Sequence, residues 1–488
     1  MGVAVRISDD GVAQVVGAPV AGRVERGPSI RWALASLSLS ALLPALGTSI
    51  AHVALPTLSE AFDASFQQVQ WVVLAYLLAI TTLIVSVGRL GDIVGRRRLL
   101  MAGIFLFTAA SAVGGIAAQL WLLIAARAAQ GLGAAIMMAL AMALVGETIP
   151  KDRTGSAMGL LGTLSAVGTA LGPTLGGVLI ARFGWPALFF VNVPLGILAL
   201  VLAWRWLPAR RPTAGPVRSS FDSAGALLLA LTLAAYALAM TIGRGSFGLA
   251  NQALLAAAAL GAGLFVRAEA RAVSPLVPVA RFRDPVLGAA LTTSALVATV
   301  MMATLVVGPF YLARTLGLDT AVVGLVLSAG PAVAALAGVP AGRIVDRFGA
   351  PRIAVSGLAG MVAGSAVLSL VPQSLGIAGY VIPIAVITGS YSLFQVANNT
   401  AVLSDVSPDQ RGVISGLLNL SRNLGLITGA CAMGAVFASA SRTANPMTAM
   451  HADVAVGMRT TFAVSAALMI VALVIARRSQ VLSRPTSS

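Results

Sequence analysis

Residues 88–100 read GRLGDIVGRRRLL. Five charges crowd into this stretch, between two long apolar runs, in a chain that is 58% hydrophobic and only 10% charged. At 342–354 the sequence reads GRIVDRFGAPRIA, with Gly, Arg, Asp, Gly and Arg at the same offsets. A basic cluster that returns in equivalent surroundings points to two related halves in one chain.

The chain has 488 residues, and a soluble chain would carry roughly a quarter charged residues. The solvent for so much apolar surface must be lipid, which makes this an all-α polytopic membrane protein. The net charge of +16 would suggest nucleic acid in a soluble chain. Here the charges sit in short loops beside apolar runs, so no nucleic-acid partner is expected. A single cysteine, Cys431, leaves no disulfide and no cysteine-based metal site, and no cofactor is expected. The first thirty residues lack an apolar core and read as a cytosolic tail rather than a cleavable signal peptide.

Runs long enough to cross a bilayer lie near 32–55, 67–87, 99–118, 121–145, 155–181, 186–206 and 222–242. Seven more lie near 250–267, 286–312, 321–341, 352–371, 375–402, 412–438 and 459–476. Fourteen spans put both termini on one side. Of 32 Lys and Arg, five (Arg182, Arg244, Arg314, Arg442, Arg459) fall in loops on the far side. Arg127 and Arg422 fall within spans, and the remaining 25 share the side of the termini, which is therefore expected to be cytoplasmic. Both basic clusters then follow the second span of a six-span set. The expected layout is a tail at 1–31, a six-helix half at 32–206, a linker with two extra helices at 207–285, a second six-helix half at 286–476 and a tail at 477–488. The extra pair is expected to be peripheral.

The motifs on these spans resemble those of the major facilitator superfamily, and within it the fourteen-helix drug:proton antiporters. The loop cluster is similar to the superfamily's G-x-L-x-D-x-x-G-R-[KR]-x-x-L, met by Gly88, Asp92, Gly95, Arg96 and Arg97 with Leu90 and Leu100. Gly342, Asp346, Gly349 and Arg352 repeat it. A carboxylate at a helix end beside a glycine turn can bond backbone N–H groups or the arginines, and so latch the halves together in one conformation. A positive-inside anchor would explain the arginines but not the placed Asp and glycines.

The fourth span carries LIAARAAQGLGAA (123–135). Arg127, Gln130 and Gly131 share a helix face, and a charge at that depth must face protein or water or snorkel outward. The resemblance implies that Arg127 lines the route between proton and substrate sites. The fifth span, GLLGTLSAVGTALGPTLGG (159–177), matches the antiporter pattern at Gly159, Gly168, Gly172, Pro173, Gly176 and Gly177. Gly168, Gly172 and Gly176 lie on one face, where a neighbouring helix can approach closely. FFVNVPLG (189–196) and WVVLAYLL (71–78) agree with the same branch.

The first span departs from it. LGTSIAHVALP (46–56) has Gly47 where that branch has an acid and His52 where it has Asn. None of the sixteen acids lies deep in a core span. His52 is the available titrating group, since imidazole titrates near pH ~6.5 unperturbed; it can equally be structural or touch substrate. In the second half, Gln395, Asn398, Asn399 and Tyr391 lie on span 12 and Arg422 on span 13, facing either the cavity or the cytoplasm. Phe310, Tyr311 and Phe394 are further aromatic candidates, for contact or for packing.

These residues point to a transporter, not an enzyme. The leading expectation is a monomeric exporter of amphiphilic small molecules in the cytoplasmic membrane, exchanging them for protons by alternating access. A facilitator or importer of an endogenous solute on the same scaffold is the alternative, kept open by the missing acid. Without G-x-x-x-x-G-K-[ST], an ATP-driven pump is disfavoured. With no deep counter-acid, neutral or weakly anionic substrates fit better than lipophilic cations.

Overall fold

The structure is a computed structural model that describes residues 6–7, 13–14, 28–84, 86–149, 154–208, 223–242, 248–271, 284–403, 411–441 and 451–482. Most of the N-terminal tail, both segments flanking the extra helices and the end of the C-terminal tail lie outside the described residues, as do the side chains of Gly88 and Asp92. Among the described residues, the strand pairing is a two-residue antiparallel one, Arg6–Ile7 with Ala13–Gln14.

Fourteen helices among the described residues are long and apolar enough to cross a bilayer. Spans 1 to 6 are Ile30–Val53, Phe66–Ile84, Arg96–Gly115, Leu120–Thr148, Ser156–Phe183 and Ala187–Trp206. Spans 7 and 8 are Ala224–Thr241 and Leu249–Arg271. Spans 9 to 14 are Pro285–Thr315, Thr320–Gly338, Ala350–Leu370, Gln373–Val402, Leu417–Ala440 and His451–Ser479. Span 14 starts well before residue 459. Asp453 in its first turn suits the positive helix N-terminus. Arg459 is therefore not a loop residue: its Nη2 donates to Val371 O just past the end of span 11, at 3.0 Å.

Two acids, Asp284 and Asp319, serve as helix caps where the chain re-enters the bundle. Asp284 accepts from Val286 N at 2.9 Å at the start of span 9, and Asp319 accepts from Val322 N at 3.0 Å at the start of span 10. The repeated clusters adopt one backbone solution. The helix Val87–Val94 ends at Gly95 with φ 95°, and the helix Ala329–Phe348 ends at Gly349 with φ 84°. Both values lie where a side chain is strained, which explains the glycine at that offset in each half.

The two halves meet at the face opposite the basic loops. Gly177 of span 5 packs on the backbone of span 10, and an added Cβ would lie 2.7 Å from Thr320 O. Thr174 and Ser328 share a hydrogen bond beside it. Across the bundle, Gln70 Nε2 of span 2 donates to Ala430 O of span 13 at 3.1 Å. Phe66, Phe310 and Phe437 close the centre, with centroids 4.9, 5.5 and 6.3 Å apart. Phe310 is thus part of this seal, and Tyr311 stacks on Tyr380 rather than facing a cavity. Toward the basic face the halves part. Gly159 lies about five turns from Gly177 on the same helix face and meets nothing, and Gly342 stands in the same relation to Gly324.

The extra pair is only half peripheral. Span 8 leans mainly on span 7, with Leu260 and Leu264 exposed. Span 7 lies on the seam between the halves, packed on span 2 and on the π-turn Gly429–Met433 of span 13. Trp71 Nε1 donates to Thr241 Oγ1 at 3.1 Å across that contact.

Candidate functional site

The first half holds a buried polar core on span 4. Arg127 is 1% exposed, so it does not snorkel. Its Nε donates to Val72 O at 2.9 Å and its Nη1 to Gln130 Oε1 at 2.5 Å. Its guanidinium carbon lies 4.0 Å from the centroid of the Tyr76 ring, a desolvated cation–π contact. Gln130 Nε2 in turn donates to Ser111 Oγ at 2.7 Å, and Tyr76 OH to Pro44 O at 2.9 Å. The i, i+3 spacing of Arg127 and Gln130 creates this chain, and Gly131 lets span 4 approach span 2 at Tyr76 O. A carbonyl, an amide oxygen and a ring face stabilise the cation, with no carboxylate among these contacts. Its Nη2 is buried without a hydrogen bond.

His52 is also 1% exposed, and both ring nitrogens lack a partner. It lies within electrostatic reach of Arg127. Gly47 faces the same core: a Cβ there would sit 3.3 Å from Phe107 Cζ and 3.7 Å from Tyr76 OH. The position that carries an acid in the branch resembled is therefore beside the Arg127–Tyr76 stack.

The fifth-span glycines divide by task. Gly168, Gly172 and Gly176 all face span 1, where Cβ atoms would meet Leu42 O at 2.7 Å, Ser49 Cβ at 2.5 Å and Val53 Cγ1 at 2.7 Å. Gly177 faces span 10 instead, Gly159 faces open space, and Pro173 lies inside the helix. The second half repeats the arrangement without the proline: Gly425 and Gly429 of span 13 pack on Ala298 and Met302 of span 9.

In the loop clusters, Arg96 Nη1 pairs with Glu147 Oε1 at 2.5 Å and Arg97 Nη2 donates to Trp204 O. Both partners belong to the first half, so these contacts do not bridge the halves in this conformation. Asp346 and Arg352 are exposed.

Tyr391, Gln395, Asn398, Asn399 and Arg422 come together on one cavity of about 90 Å³, joined by Phe394, Asn419 and Ser294. That is room for about three waters or one polar group of a larger solute. Arg422 lines this cavity, with its Nε buried and unpartnered. Ser294 escaped the sequence reading; the Thr-Thr-Ser run 292–294 inside an apolar span was the available sign. No cluster of three His, Cys, Asp or Glu able to hold a metal occurs among the described residues.

The sequence profile of the Major Facilitator Superfamily matches residues 37–430, and a second match covers 290–488. The chain belongs to that superfamily. The chain is 29% identical over 410 residues to the riboflavin transporter RibZ of Clostridioides difficile, covering 84% of this chain and 88% of RibZ. It is 30% identical over 405 residues to the multidrug resistance protein Stp of Mycobacterium tuberculosis, covering 81% and 73%. A bacterial homolog of the human lysosomal transporter Spinster, solved in an inward-facing and unoccupied conformation, superposes with a TM-score of 0.69 at 17% identity. That match covers 94% of this chain and 99% of the other. The fold is that of a secondary transporter in two six-helix halves with two added helices.

Proposed function

We propose that this facilitator carries a small neutral or weakly anionic amphiphile by alternating access, down the gradient of the solute itself. The observation that carries the reading is the second-half cavity, where Arg422 and the amides of Gln395, Asn398 and Asn399 converge and no acid lies among the lining residues. An arginine with an unpartnered buried N–H favours a carboxylate, imide or carbonyl on the solute, and Tyr391 and Phe394 offer ring faces. Proton coupling needs a group that visits water on both sides. His52, sealed at 1% exposure, is poorly placed for that, and no carboxylate contacts Arg127. RibZ, a relative named for a neutral heteroaromatic solute, supports the same substrate class.

The basic face would be cytoplasmic by its arginines, so the side on which the halves part would open inward. The protein would work as a monomer in the cytoplasmic membrane, with the two loop clusters latching the halves in the opposite conformation. A second reading, proton-driven drug export in the fourteen-helix antiporter branch, is favoured by the complete glycine–proline set of span 5 and by Stp.

One assay separates them. Purified protein in proteoliposomes with an internal pH-sensitive dye is offered riboflavin and a panel of lipophilic drugs, with and without an imposed proton gradient. The proposal expects solute flux without dye response. Flux that moves protons, and loses that coupling in Arg127→Ala or His52→Ala, would replace it with antiport.

A further inference from the structure

We infer that the crevice between spans 1, 5 and 6 on the basic-face half is a binding site for an anionic phospholipid. Spans 5 and 6 both pack on span 1 but leave a cavity of about 500 Å³ between them. Its walls are leucines from all three spans, among them Leu34, Leu39, Leu160 and Leu198, as an acyl chain requires.

Two features choose the head group. Arg31 lines the mouth, beside Trp32, which is 46% exposed at the level where indoles sit in a bilayer. Arg205 follows the Leu198–Leu202 face of span 6 one turn nearer the basic surface, its guanidinium carbon 5.7 Å from the Trp206 ring centroid, so a second cation lies close to the lining without belonging to it. Two arginines at the end of an apolar slot complement a lipid phosphate.

The third feature is Ser38. It lines the crevice about 10 Å deeper than Arg31 along span 1, is 6% exposed, and its Oγ has no hydrogen-bond partner. Neighbouring Ser40 returns its hydroxyl to the helix at Ser36 O, at 2.9 Å, but Ser38 does not.

The test is native mass spectrometry of the full chain, purified in detergent and equilibrated with equal amounts of phosphatidylglycerol and phosphatidylcholine. The wild type retains phosphatidylglycerol preferentially. Arg31→Gln lowers that preference about fivefold, and adding Arg205→Gln lowers it about fivefold again. Ser38→Phe, which fills the slot, removes one bound lipid, whereas Leu260→Phe on the exposed side of span 8 removes none. Equal retention of both lipids by the wild type overturns the site, as does undiminished retention by Ser38→Phe. Should Ser38→Phe fail to fold, the exposed Arg31 decides, and an unchanged preference in Arg31→Gln refutes the assignment. Displacement of the lipid by a neutral amphiphile at stoichiometric concentration would assign the crevice to solute instead and overturn it equally. Transport activity plays no part in the readout.

Discussion

Gly177→Ala tests how the halves are held. The new methyl would lie 2.7 Å from Thr320 O, 3.1 Å from Gly324 Cα and 3.3 Å from Ala321 Cα, backbone atoms that cannot swing away as a side-chain tip can. Overpacking of this kind costs about 1–3 kcal/mol. Gly177 and Thr320 belong to different halves, so the cost falls on the conformation seen here and vanishes once the halves part at this face. The expected shift toward the opposite conformation is therefore about five- to 150-fold. Gly168→Ala is the control: its methyl meets Leu42 O at the same 2.7 Å, but within one half, so both conformations bear the cost and only thermal stability falls. Spin labels at the exposed Thr163 and Arg343, in a Cys431→Ser background, report the basic-face opening by pulsed electron resonance. Gly177→Ala shortens the dominant distance and Gly168→Ala leaves it unchanged. An unmoved distribution in Gly177→Ala, or equal movement in both, refutes the reasoning.

Arg422→Gln should raise the KM for a carboxylate-bearing solute about 10- to 100-fold, the loss of a charge-assisted hydrogen bond, and alter a neutral analogue far less; equal effects on both would remove Arg422 from the site. Gly47→Asp sets a carboxylate beside the Arg127–Tyr76 stack, its Cβ 3.7 Å from Tyr76 OH, and should make solute flux carry protons in the dye assay. Flux that stays proton-silent in a folded Gly47→Asp protein would count against that position as the coupling site. Gly95→Ala and Gly349→Ala place a side chain at φ 95° and 84°; each should cost about 1–2 kcal/mol, read as a lower thermal-unfolding midpoint of similar size in both.

Much of this was legible because lipid imposes simple rules. Apolar length located the spans, and the helical period placed Gly168, Gly172 and Gly176 against one neighbour before that neighbour was known to be span 1. The same period gathered Gln395 and Asn399, and the structure adds Arg422 from a different span to their cavity. Contacts between distant spans were not legible. Nothing in the one-dimensional pattern separates Gly177, which touches the other half, from Gly176, which touches its own. Arg459 looked like a loop charge because its acceptor, Val371 O, is a backbone group that no residue type advertises. Span 7 looked detachable for a related reason: the polar atoms that tie it down are hydroxyls and a tryptophan N–H, in the pairs Trp71–Thr241 and Tyr236–Thr428, which no residue pattern advertises.

That last contact has a consequence for solutes already dissolved in the bilayer. The seam between the halves meets lipid along two edges, one bounded by spans 2 and 13 and the other by spans 5 and 10. Span 7 stands in the first like a jamb, touching both leaves of the door. A lipophilic solute that entered sideways from the membrane would be left with the other edge, where glycines 159, 162, 338 and 342 leave the helix faces bare.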